Sequence, residues 1–137
     1  MNNNVITALN QDSVKEYIDS VKKEDDVYEE IGFEVDNRNI HDPDYAYVYA
    51  GISDLMELVE RYVRIGQNWY KLHKDDFQKA VCSNPVVMTV MEMDDAKVAL
   101  VLAIAQAIRP SSTDYLAVRI AFLIANEGLN KFCNDYK

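Results

Sequence analysis

The chain has 137 residues, the length of one ordinary domain, and its 38 Leu, Ile, Val and Phe residues exclude wholesale disorder. Four glycines, three prolines and two cysteines also exclude collagen-like, linker-like and disulfide-rich secreted compositions. The formal net charge of −9 at pH 7 argues against nonspecific binding of DNA or RNA, whose phosphates attract basic surfaces.

The first helix is predicted to begin near Ser13. Residues 13–16 match the S-x-x-E pattern of a capping box, and apolar residues follow at helical spacing from Val14 onward. We expect the charged stretch 22–26 to divide this segment into two helices and Gly32 to end the second of them. Residues 33–40 favour a connector, and a short strand at its start is the alternative.

The next helix is predicted to begin at Asp42, a capping carboxylate that is followed by a proline. Residues 45–50 alternate as a strand does, but their apolar side chains also share a helical face that continues to Trp69. We therefore predict helix and keep strand as the alternative. Glu60 and Arg64 have the i,i+4 spacing of a helical ion pair.

The second half of the chain is predicted to form four helices and a short tail helix. Valines in residues 86–93 favour a strand, but the helical neighbours lead us to predict a short helix there. Pro110 is expected to end the helix before it, Ser112 or Thr113 to cap the next, and Gly128 to close it. The predicted helices span about 75–82, 86–93, 96–109, 113–126 and 129–134.

Alanines recur at every fourth position in the two most apolar helices. Such stripes of small residues allow two helices to approach closely, and the short link between them favours an antiparallel pair. We therefore predict an all-α fold: a single compact domain over residues 1–137, with five to seven helices and a C-terminal antiparallel hairpin packed through the alanines. Use of the stripes for self-association is the alternative. The stripes are Ala99, Ala103, Ala107 and Ala117, Ala121, Ala125.

The cysteine spacing and the apolar runs bear on the compartment. Cys82 and Cys133 lie 51 residues apart without a CxxC partner, so we expect two reduced thiols in a cytoplasmic protein. The first residues lack the basic and apolar regions of a signal peptide. The longest apolar run, residues 98–108, is shorter than the roughly 20 residues of a bilayer span, so we expect no membrane association.

The negative charge is concentrated in the N-terminal half. Residues 1–60 contain 15 acids and 4 bases, whereas residues 61–137 contain 8 acids and 10 bases. A solvated face would explain this pattern, but it also suits a surface that meets a basic partner. Tyr47 is expected among these acids as a contact anchor, with packing against a neighbouring helix as its alternative role. The predicted contact residues are Glu24, Asp25, Asp26, Glu29, Glu30, Asp44 and Tyr47.

No catalytic or metal-binding pattern occurs in the sequence. The nucleophile elbow, the P-loop, the dinucleotide fingerprint and HExxH are absent, and no helix carries the basic residues of a DNA-reading element. We therefore predict no enzymatic activity, cofactor, metal or direct nucleic-acid contact.

The function these observations favour is protein binding. A small acidic helical domain suits an inhibitor of the immunity, anti-defence or DNA-mimic type, which covers a basic surface of a target such as a nucleic-acid-binding protein. The first alternative is an oligomeric structural or regulatory helical bundle. The second is an enzyme or metal protein without a recognisable motif.

Overall fold

The computed structural model describes residues 9–37, 55–93, 97–109 and 113–136. Within these residues 83% are helical and no strand occurs, which confirms the all-α prediction. The described part contains eight helices, rather than five to seven. They are α1 Gln11–Ser20, α2 Glu24–Asn37, α3 Leu55–Leu72, α4 Lys74–Val81, α5 Pro85–Met91, α6 Lys97–Ile108, α7 Asp114–Glu127 and α8 Leu129–Phe132.

The chain divides into two compact units. Residues 22–72 contain α2 and α3 and are called the α2–α3 unit below. Residues 1–21 and 73–137 contain the other described helices and are called the terminal unit. The single domain over residues 1–137 stays a prediction.

Helix α6 lies at the centre of the terminal unit, where it packs against α1, α4, α5 and α7. A helix with neighbours on several sides needs apolar residues around most of its circumference, and α6 has this composition. Ile104 and Ile108 are fully buried, and Ala103, Ala117 and Ala121 are buried as well. The antiparallel hairpin and its alanine seam stay predictions.

The helix ends show which local signals operate. The prediction of Ser13 as N-cap is wrong, because Asn10 caps α1: its Oδ1 accepts from the backbone N–H of Ser13 at 2.9 Å. Ser13 is instead the third residue of that helix, and its hydroxyl completes the reciprocal capping box. Thr113 caps α7 and Gly128, with φ of 99°, closes it, as predicted.

The two segments with strand alternatives have different outcomes. Helix α5 confirms the predicted helix within residues 86–93, since Asn84 caps it and Pro85 takes its first position. Residues 45–50 lie outside the described residues. The connector predicted for residues 33–40, with its strand alternative, is wrong over 33–37, where α2 continues.

The prediction of reduced thiols is also wrong. Cys82, at the end of α4, forms a disulfide with Cys133, at the end of α8. A sequence separation of 51 residues does not reveal this, because the fold sets the Cα–Cα distance of 5.7 Å. Beside the disulfide, the buried Gln78 side chain donates to the Phe132 carbonyl at 2.9 Å and to Asp135 Oδ1 at 2.8 Å.

The α2–α3 unit is built on a close helix–helix contact between Gly32 and Gly66. A Cβ on Gly32 would overlap the carbonyl oxygen of Tyr62, and a Cβ on Gly66 would overlap that of Tyr28. Gly32 therefore does not end α2 as predicted. It lies inside the helix, where the absence of a side chain admits the backbone of α3.

Candidate protein-binding site

The first turns of α2 carry five of the seven predicted contact residues. Three acids fill the first turn, where the positive end of the helix dipole stabilises carboxylates, and two more follow within the next turn. These residues, called the α2 acids below, are Glu24, Asp25, Asp26, Glu29 and Glu30. Asp44 and Tyr47 lie outside the described residues.

A pocket of about 300 Å³ lies in the α2–α3 unit and is called the acidic pocket below. Lys23 and the acids Asp25, Asp26 and Glu29 line one side of it. Residues of α3 line the other side: Val59 and Val63 supply apolar surface, and Glu60 and Arg64 supply one charge of each sign. The pocket thus combines four carboxylates with two cations and an apolar patch, which leaves a formal charge of −2.

The carboxylates of this pocket have no ion-pair partner in the part of the chain that the structure describes. Among the described residues, no hydrogen bond or ion pair is formed by the side chains of Asp25, Asp26, Glu29 or Glu60. The ion pair predicted between Glu60 and Arg64 is therefore not formed.

The surroundings of Glu29 disfavour its charged form. Its burial raises the pKa, and the negative charges of Asp26 and Glu30 raise it further, against a smaller opposing effect of Lys23. Both main causes disfavour the charged form. A cation beside Glu29 would oppose them.

The spacing of α2 and α3 is set by side-chain contacts as well as by the glycines. The rings of Tyr28 and Tyr70 meet edge to face at 6.1 Å between centroids, and those of Phe33 and Tyr62 do so at 5.3 Å. Such pairs contribute roughly 0.5–1.5 kcal/mol each beyond their buried area. These contacts join the two helices that form the walls of the acidic pocket.

The structure brings together only part of the predicted site. Asp25, Asp26 and Glu29 line the acidic pocket, whereas Glu24 and Glu30 do not. Sequence reasoning missed the wall formed by residues 59, 60, 63 and 64. Their i, i+1, i+4, i+5 spacing places them on one helical face, which was the available signal, but the partner of that face depends on the fold.

No group of three or more His, Cys, Asp and Glu side chains is arranged to hold a metal ion in the part of the chain that the structure describes. No helix within the same residues is long and apolar enough to cross a membrane.

No protein-family model matches the chain, and no curated protein or solved structure shows significant similarity to it.

Proposed function

We propose that this protein is a non-enzymatic protein-binding module, a small acidic inhibitor of the immunity, anti-defence or DNA-mimic type. Its acidic N-terminal half covers a basic surface of a target protein, such as the nucleic-acid site of a nucleic-acid-binding protein. The observation that carries the proposal is the acidic pocket, where Asp25, Asp26, Glu29 and Glu60 lack ion-pair partners among the described residues.

Electrostatics explains how such a surface would act. The α2–α3 unit contains 12 of the 23 acids and six bases, so its formal charge of −6 attracts an approaching basic protein. Charge complementarity of this kind accelerates association and selects partners more than it increases affinity. An inhibitor that competes with a nucleic acid for a basic surface benefits from both effects.

The proposal includes a cytoplasmic location for the protein. The cytoplasmic location was predicted from reduced thiols, and the disulfide between Cys82 and Cys133 removes that argument, because disulfides persist mainly in oxidising compartments. Alkylation of free thiols at the moment of cell lysis tests the location. Modification of both cysteines would support the cytoplasm, whereas protection of both would contradict it.

The binding proposal is tested with two variants of equal net charge. In the first, the α2 acids are changed to their amides; in the second, five exposed acids of the terminal unit are changed in the same way. Both variants move the formal charge from −9 to −4. The second set lies in residues 73–137 and consists of the exposed acids Asp75, Asp76, Glu92, Glu127 and Asp135.

The partner is captured at low salt, purified, and studied by association kinetics at two ionic strengths. We expect the α2 variant to associate at least about tenfold more slowly, with a flatter salt dependence, because exposed charges are screened over about 8 Å at physiological salt. The control variant should slow association much less. Equal effects of the two variants, or failure of the wild-type protein to capture a basic protein, would overturn the proposal.

A further inference from the structure

We propose that the acidic pocket receives the side chain of one arginine from the basic partner. This inference rests on the proposed function and identifies the chemistry of its central contact. The observations behind it are the volume of the pocket, its apolar patch and its carboxylates, which have no ion-pair partner among the described residues.

The pocket has the two surfaces that an arginine side chain needs. Val59 and Val63 offer apolar contact for the three methylene groups of the stem. Asp26, Glu29 and Glu60 offer carboxylate oxygens for the guanidinium group, whose planar donors pair with carboxylates in a bidentate manner. A volume of about 300 Å³ is at the lower end for small-molecule sites, which suits a single side chain.

The charges lining the pocket favour one cation. Four carboxylates and the two cations Lys23 and Arg64 line the pocket, so the formal charge is −2 and one guanidinium reduces it to −1. The two resident cations oppose the entry of a second one. A neutral or anionic side chain would leave the carboxylates unpaired and partly desolvated, which is unfavourable.

The state of Glu29 agrees with this assignment. Burial and the charges of Asp26 and Glu30 raise its pKa, so its charged form is disfavoured in the unbound protein. A guanidinium group within contact distance stabilises that charged form. Binding therefore relieves an unfavourable arrangement that the fold maintains.

The test is an NMR titration of the full-length, isotope-labelled protein with N-acetyl-arginine methylamide. The matched probe is the citrulline analogue, which has nearly the same shape but no charge. We expect arginine to shift the backbone amide signals of residues 23–29 and 59–64, with a dissociation constant on the order of 1 mM. Citrulline should leave these signals unchanged.

Two variants assign the contact. Glu29→Gln should weaken arginine binding about tenfold, because it removes a charged partner of the guanidinium. Glu16→Gln, on the exposed face of α1, should leave the affinity unchanged. Equal binding of citrulline, unaltered affinity of Glu29→Gln, or shifts spread over the whole acidic half would each overturn the assignment.

The outcome is distinguishable from that of the proposed function. If Glu29→Gln leaves arginine binding intact while the amide variant of the α2 acids loses the partner, the pocket assignment fails and the proposed function stands. If arginine enters the pocket but the α2 variant retains the partner, the proposed function fails, and the assignment of the partner's arginine to the pocket fails with it.

Discussion

The close contact between α2 and α3 predicts an unusual response to Gly66→Ala. In most helix interiors this change stabilises by about 1 kcal/mol, because alanine has the higher helix propensity. Here the new Cβ would overlap the carbonyl oxygen of Tyr28 and lie 2.8 Å from its carbonyl carbon and 3.1 Å from the nitrogen of Gly32. All three atoms belong to the backbone of α2, so they cannot rotate away as a flexible side chain would.

The magnitude follows from these two opposing effects. Overpacking costs typically about 1–3 kcal/mol, and a clash with backbone belongs at the upper end because the helices must separate to relieve it. After the gain in helix propensity, we expect a net loss of about 2 kcal/mol in the free energy of unfolding. With a urea m-value near 2 kcal/mol/M, the midpoint should fall by about 1 M.

The assay is urea unfolding followed by the fluorescence of Trp69, the single tryptophan of the chain, which lies on α3. Asn68→Ala, at an exposed position of the same helix, is the control and should leave the midpoint unchanged or slightly higher. A Gly66→Ala variant as stable as the wild type would refute the close contact. Loss of arginine binding in a folded Gly66→Ala variant would show in addition that the glycine contact sets the width of the acidic pocket.

Three further predictions concern the terminal unit. Replacing Cys82 and Cys133 with serine should lower the free energy of unfolding by about 4 kcal/mol, the value of the loop-entropy model for a separation of 51 residues. Thermal unfolding of the variant is compared with that of the wild type, with and without reductant. Equal melting temperatures of the variant and the oxidised wild type would contradict the prediction. Gln78→Leu should cost about 1–3 kcal/mol, because it leaves the carbonyl of Phe132 without this donor. The hydrogen bond from the Gln78 amide lowers the pKa of Asp135. The contribution of Asp135 to stability is therefore present above the ordinary pKa of an aspartate and is lost as the pH falls through the lowered pKa. Gln78→Leu should flatten this loss of stability at acid pH, measured by unfolding from pH 5 to pH 2.

The predictions that succeeded depend on local signals. Thr113 and Gly128 end or begin a helix through contacts with residues no more than four positions away, so the sequence around them is sufficient. The same reasoning placed the N-cap at Ser13 instead of Asn10, since two polar residues three positions apart form the same reciprocal box and either can be its first member. Local patterns thus predict the presence of a helix more reliably than they predict the residue at which the helix begins.

Two of the predictions that failed depend on contacts distant in sequence. Gly32 has the composition of a helix stop, but its role is set by the backbone of Tyr62, 30 positions away. The disulfide likewise depends on where α4 and α8 end in space. Neither contact produces a periodic pattern in the sequence. A prediction from the sequence therefore assigns an isolated glycine or cysteine the role that this residue most commonly has.

The acidic pocket depends both on local sequence signals and on contacts between residues that are distant in sequence. The α2 acids stand out in the sequence by their charge, but valines 59 and 63 are ordinary members of an amphipathic helix until α2 is placed beside them. Carboxylates at the start of α2 gain from the helix dipole, yet burial and mutual repulsion raise the pKa of Glu29. On a solvated face, such carboxylates would extend into water and away from one another. Here the glycine contact and two aromatic pairs hold α2 and α3 together, and the acids remain around an apolar patch without ion-pair partners among the described residues. That combination favours a cationic side chain with an apolar stem over a dispersed cloud of counterions.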